Sequence, residues 1–249
     1  MRFNNKIFFL HNPKAGGTSI SCALKSCFKD DDIAPTFDNS PHWHQFFDDQ
    51  IHHLKNYPVF CGHYGFNAYK ALSDGHALIT NFREPSQRIA SLYRYWKEID
   101  ACQAHEDDAR LVDLAKKLSF PDFIRNDNPD LRLYIDNFHF RQIMGSGWEN
   151  CSRGFFAKIV AKSRIRSMKW FYICEMPDVS IDLLKQRFSF FKNLDLGKMN
   201  VSKGPEINIS PEDARFLLSR NELDYEIYAY AVSLQVKRAA RAMHSAQLA

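Results

Sequence analysis

At 249 residues the chain is long enough for one substantial core and short for two independent domains. Its 45% apolar and 25% charged content is ordinary for a globular protein. The net charge of +4 suits an anionic ligand, but without a dense basic stripe it does not call for nucleic acid. No stretch approaches ~20 consecutive apolar residues, and no signal-peptide core precedes the first strand. The cysteines at 22, 27, 61, 102, 151 and 174 form neither Cys-x-x-Cys pairs nor a zinc-ligand cluster. The expectation is a cytoplasmic protein with reduced thiols, no transmembrane segment and no metal, able to sit peripherally at a membrane.

A strand is expected over 6–11, followed by a turn-rich loop and a helix over 18–28. The acidic run Asp30-Asp31-Asp32 opens a polar loop reaching Pro41, and a helix is read from 42 to just before Pro58. Val59 to Gly62 reads as a short buried strand, with His63 next in the chain. Ala77 to Phe82 is a third strand, and Pro85 starts a helix over 85–97. Apolar residues at helical spacing, among them Leu111, Leu114, Ala115 and Leu118, make 105–165 a helical region. Trp170 to Cys174 is a further buried strand, followed by a helix over 178–188 and a loop through Pro205. Ser210-Pro211-Glu212-Asp213 is a capped helix start. The last helix runs from Leu223, and the basic, alanine-rich 237–249 reads as a mobile tail. Short buried strands alternating with helices predict an α/β fold: a single P-loop-like domain spanning 1–249, with a central parallel sheet flanked by helices.

The chemistry concentrates where strands end. In His11-Asn12-Pro13-Lys14-Ala15-Gly16-Gly17-Thr18-Ser19, a strand empties into a glycine turn and then a helix start. Such a turn aims backbone N–H groups at an anion, and the helix dipole favours negative charge there. Lys14 adds a cation, and Thr18 and Ser19 add hydroxyls. A nucleoside triphosphatase loop needs its lysine after the glycines. Here the lysine comes first. A second strand-to-helix junction, Arg83-Glu84-Pro85-Ser86-Gln87-Arg88-Ile89-Ala90-Ser91, sets Arg88 and Ser91 on one helix face, with Arg83 in reach from the preceding turn.

These two segments resemble the phosphate-binding motifs of sulfotransferases that use 3′-phosphoadenosine 5′-phosphosulfate (PAPS). The first is similar to the carbohydrate branch that includes the heparan 2-O-sulfotransferases and their bacterial relatives. Met1 lying directly before the first strand favours a soluble bacterial-type member over a trimmed catalytic domain. The resemblance implies that residues 14–19 (Lys14, Ala15, Gly16, Gly17, Thr18, Ser19) hold the 5′-phosphosulfate. It implies that Arg83 and Ser91 hold the 3′-phosphate, while Arg88 pairs with a carboxylate behind the site. Asn200-Val201-Ser202-Lys203-Gly204 resembles the family loop that closes over the nucleotide, adding Lys203 and Gly204. Asn137-Phe138-His139-Phe140-Arg141-Gln142 and Asn221-Glu222-Leu223-Asp224-Tyr225 resemble two further family segments. They make Arg141 a candidate contact to cofactor or acceptor, and Tyr225 and Tyr228 core anchors.

Cys61-Gly62-His63-Tyr64-Gly65-Phe66 resembles the segment of the 2-O-sulfotransferase branch whose histidine is the catalytic base. His63 is therefore the leading general base, with Glu84, Glu175 and His11 as the other candidates, and Lys14 assists the leaving phosphate. His42, His44, His52 and His53 lack a carboxylate or cysteine that would complete a metal motif. The implied activity is PAPS-dependent O-sulfation of a carbohydrate or glycoconjugate, leaving adenosine 3′,5′-bisphosphate and requiring no metal. Trp43, Phe46 and Trp148, with Arg125, Arg132 and Arg141, are candidate walls of an acceptor cleft formed partly by 105–165. The alternatives are a P-loop kinase-like phosphotransferase and a non-catalytic nucleotide-binding protein.

Overall fold

Four apolar runs too short for helices pair into one sheet in the computed structural model, which describes residues 6–35, 54, 56–100, 106–147, 150–192 and 207–247. They are β1 (Ile7–Leu10), β2 (Val59–Gly62), β3 (Ala77–Phe82) and β4 (Trp170–Ile173). The order is β2-β1-β3-β4, and every pairing is parallel. Parallel strands are joined by crossovers that cover both faces, so these strands are apolar at successive positions instead of alternating.

The two faces divide the strand residues cleanly. Ile7, Phe9, Cys61, Ile79 and Trp170 pack on the side of α1 (Gly17–Cys27), against Ile20 and Leu24. Phe8, Phe60, Leu78, Phe82 and Phe171 pack on the other, against α2 (Phe66–Leu72) and helices from later in the chain. Truncating one of these fully buried rings to alanine typically costs about 3–5 kcal/mol.

The helix over 85–97 is α3 (Pro85–Glu98). The helical middle resolves into α4 (Glu106–Lys117), α5 (Phe120–Arg125), α6 (Pro129–Ile135), α7 (Phe138–Met144) and α8 (Phe155–Ser167). After β4 come α9 (Pro177–Arg187), α10 (Pro211–Arg220) and α11 (Glu222–Gln247). Helices α3 to α6 and α10 share a core built on Ile89, Trp96, Phe123 and Leu217. The segment from 237 continues α11 as helix to Gln247. The helix expected from 42 to just before Pro58 falls largely outside the described residues. Among the described residues, no helix is long and apolar enough to cross a membrane.

This strand order fixes where a ligand would sit. From β1 the chain moves to β2 on one side, then crosses back to β3 on the other, so the direction of winding reverses between β1 and β3. Ligands of open α/β sheets bind at such a switch point, outside the C-terminal ends of the strands. The loop after β1 and Arg83 after β3 flank that crevice.

Candidate functional site

The register of β1 with β2 places two histidines side by side. Leu10 pairs with Gly62, so His11 and His63, each the next residue in its chain segment, leave the sheet together. Their rings meet edge to face with centroids 4.5 Å apart, and His11 also stacks on Phe9 at 5.2 Å. Burial, followed by the charge of Lys14, pushes His63 from 6.5 down to about 4. Burial, then His63 and Lys14, hold His11 well below its ordinary value. Both imidazoles are neutral near pH 7 and able to accept a proton.

The loop between β1 and α1 is pinned from below by Asn81 of β3. Its Oδ1 accepts from the Asn12 amide at 2.7 Å, and its Nδ2 donates to the carbonyls of Asn12 and Ala15 at 2.9 and 2.8 Å. Thr80 beside it donates to the Leu10 carbonyl at 2.7 Å. Gly16 sits at φ 79°, in the left-handed region that favours glycine, against the Tyr172 ring. A Cβ on Gly17 would lie 2.0 Å from the His11 ring, so that position admits no side chain while His11 holds its place. Both glycines are therefore dictated by contacts of the loop.

Helix α1 begins at Gly17 with no side-chain cap and no acid in its first turn. Its leading N–H groups and dipole present a local positive end that suits an anion. The start of α3 is arranged differently, because Glu84 Oε2 accepts from the Gln87 amide at 2.7 Å and Pro85 occupies the first turn. Of the two helix starts at the crevice, α1 is the one left without a carboxylate.

Lys14 and Arg83 converge here. The Arg83 guanidinium donates to the Lys14 carbonyl at 3.2 Å, and the Lys14 ammonium lies 3.7 Å above the Tyr95 ring of α3. Burial first, then Arg83, against a counter-effect from Glu98, brings the Lys14 pKa from 10.5 to about 8. Lys14 also carries a positive φ of 63°, an uncommon conformation for a lysine. Ala15 is buried, Thr18 is exposed and Ser19 is half-buried on α1, while Ser91 is buried on α3. Lys203 and Gly204 lie outside the described residues, as do Trp43, Phe46, Trp148, His42, His44, His52 and His53.

The other candidates have partners within the chain. Glu175 accepts from the Glu84 amide at 3.0 Å and from the Tyr228 hydroxyl at 2.9 Å, so both carboxylates considered as bases already hold donors. Tyr225 meets Ser86 at the start of α3, so Tyr225 and Tyr228 are half-buried rim residues with hydroxyl partners. Arg88 is buried and donates to the Tyr134 carbonyl at 2.9 Å, with Asp224 as the carboxylate that favours its charge. Arg141 is also internal, donating to the carbonyls of Asp136, Gly147 and Leu133. Arg125 pairs with Asp213 at 2.5 Å and Glu212 at 3.1 Å, and Arg132 with Asp136 at 3.4 Å. Among the described residues, no group of three or more His, Cys, Asp and Glu is placed to hold a metal ion.

Two residues that the motifs did not single out organise the site. One is Asn81. The other is Gln142, whose Nε2 donates to the His11 carbonyl at 3.1 Å and the Tyr64 carbonyl at 2.8 Å, bracing both histidine turns from α7. A polar pair, Thr80-Asn81, inside an otherwise apolar strand was the available signal for the first, since a buried polar side chain needs partners. No protein-family model matches the chain, and no curated protein matches it.

Proposed function

We propose that the protein is an O-sulfotransferase that uses PAPS and acts on a hydroxyl of a carbohydrate or glycoconjugate. One observation carries the reading: the uncapped start of α1, Lys14 and Arg83 converge at the switch point, with a neutral His63 on the adjoining strand end. The order of the loop residues, lysine before glycines, supports a phosphosulfate over a magnesium-bound triphosphate tail.

The residues present fit such a donor. Gly16 and Gly17 keep the turn free of side chains, and buried polar atoms of Asn12 and Gln142 beside it have no hydrogen-bond partner among the described residues. The donor supplies the sulfuryl group and a phosphate that leaves from it. His63 takes the proton of the attacking hydroxyl, a task for which an unprotonated imidazole is required. Lys14 and the amides of α1 offset the negative charge that grows on the departing phosphate. Arg83 and Ser91 hold the separate 3′-phosphate, with Lys203 and Gly204 completing that end. The setting is the cytoplasm, where thiols such as Cys61 remain reduced.

Calorimetric titration with adenosine 3′,5′-bisphosphate, AMP and magnesium-ATP tests the reading. The bisphosphate should bind at micromolar concentration or below and well ahead of AMP. Equal affinity for the two would remove the 3′-phosphate assignment, and tight magnesium-dependent ATP binding would replace sulfuryl by phosphoryl transfer.

A further inference from the structure

Helix α8 buries one stripe, Ala157, Ala161 and Ile165, and turns another to solvent. On the outer side Phe155 is 73% exposed and Phe156 81%, with Ile159 and Val160 exposed one turn further on. The spacing of i, i+3 and i+4 makes these four side chains one patch. Single exposed apolar residues are commonplace, but two adjoining phenylalanines with two β-branched neighbours form a contiguous contact surface.

Basic side chains outnumber acids along this face. The sequence holds no Asp or Glu from 150 to 174, and none after Glu226. Helix α11 runs alongside α8 in the same direction: Glu226 pairs with Lys158 and Lys162 at 2.7 and 2.6 Å near the start of both, and Arg238 donates to the Arg166 and Met168 carbonyls at the end of α8. Among the described residues, the acids that reach α8 are Glu222 and Glu226 of α11, and Glu226 is engaged by two lysines. Arg153 next to the patch, Arg166 and Lys169 at the far end of α8, and Lys237 and Arg241 on α11 are exposed.

We propose that the outer face of α8, together with the basic end of α11, docks peripherally on an anionic lipid bilayer. Protruding phenylalanines reach the boundary between headgroups and acyl chains, while flanking cations meet the anionic headgroups. A polyanionic glycan would satisfy the cations but offers no apolar phase to Phe155, Phe156, Ile159 and Val160. The inference is independent of the assigned chemistry, because none of these side chains belongs to the loop, Arg83 or His63.

The test is co-sedimentation of the whole chain with vesicles of phosphatidylcholine alone or of equimolar phosphatidylcholine and phosphatidylserine. Binding is expected to the anionic vesicles, weakening as salt is raised. Phe155→Ser with Phe156→Ser should lose roughly tenfold or more in affinity. Arg166→Glu with Lys169→Glu should lose roughly fivefold or more per cation removed. All four positions are exposed, so thermal melting should match the parent protein. No binding to the anionic vesicles, or equal binding by both double variants, overturns the proposal. So does a solution dimer that the phenylalanine variant dissociates with no vesicle binding, which would assign the face to a second copy of the chain.

Discussion

Asn137 and Asp224 cap each other's helices. The Asn137 side-chain oxygen accepts from the amides of Leu223 and Asp224 at 3.0 and 3.1 Å, in the first turn of α11. The Asp224 carboxylate accepts from the amides of His139 and Phe140 at 3.4 and 2.7 Å, in the first turn of α7. Asn221 closes the arrangement by accepting from the Asn137 amide at 2.8 Å. Removing either cap strands buried donors on the opposite helix. Asn137→Ala should destabilise the protein by about 1–3 kcal/mol in chemical denaturation. A change within a few tenths would mean that the caps are individually dispensable.

The same reasoning applies to Asn81 with a different readout. Asn81→Ala leaves the Asn12 amide and the carbonyls of Asn12 and Ala15 without their side-chain partner. The strand itself should persist, while the loop loses its fixed shape. The expected result is weaker binding of adenosine 3′,5′-bisphosphate together with about 1–3 kcal/mol of lost stability. Retention of full affinity at reduced stability would separate the loop's shape from ligand binding.

Nucleotide affinity should depend on alkaline pH through Lys14. The free protein holds this lysine at about 8, and an anion beside it favours the charged form. Above that value binding has to be accompanied by proton uptake, so affinity should fall as pH rises past about 8. Calorimetry in buffers of different ionisation enthalpy would register the proton. Lys14→Met should bind more weakly and lose the slope.

Turnover should report His63. Replacement by alanine is expected to reduce kcat by ~10²–10⁴-fold with nucleotide affinity nearly unchanged. The acid limb of kcat/KM for the native protein should lie well below 6.5, because the free imidazole titrates near 4. Near-normal turnover in His63→Ala would move the base to His11, Glu84 or Glu175.

Stability should fall at mildly acid pH for a related reason. His139 is buried and held at about 3 by burial and then by the charge of Arg88, and His63 at about 4, against an ordinary 6.5. The unfolded chain therefore binds more protons than the folded one below about 6.5, and stability drops as pH falls from there toward 3–4. His139→Phe, which removes one proton uptake beside Phe82, should flatten the dependence of Tm on pH between 6.5 and 4.

The strands and the two turns that leave them were legible in the sequence because each rests on contiguous residues. The apolar run Ile7–Leu10 is a local signal, and so is Gly16-Gly17 beside Lys14. Helix α2 was not legible, since seven residues, Phe66–Leu72, carry too little periodicity to stand out. Gln142 was quoted within a motif, but its importance comes from two carbonyls far away in sequence, those of His11 and Tyr64. Nor does local sequence reveal that Arg125, Arg132 and Arg141 are engaged by their own chain, because the acids and carbonyls that hold them converge only on folding.

The position of β1 also bears on how the chain is made. It precedes the other three strands in synthesis, yet it ends up between two of them, β2 and β3. Its first partner is complete only at Gly62 and its second at Phe82, so a nascent chain carries the bare run Ile7-Phe8-Phe9-Leu10 with both edges open until Gly62 and one until Phe82. Unpaired apolar edges invite pairing with other chains. The segment that ends in the glycine turn is therefore also the one most in need of shelter while the protein is still being translated.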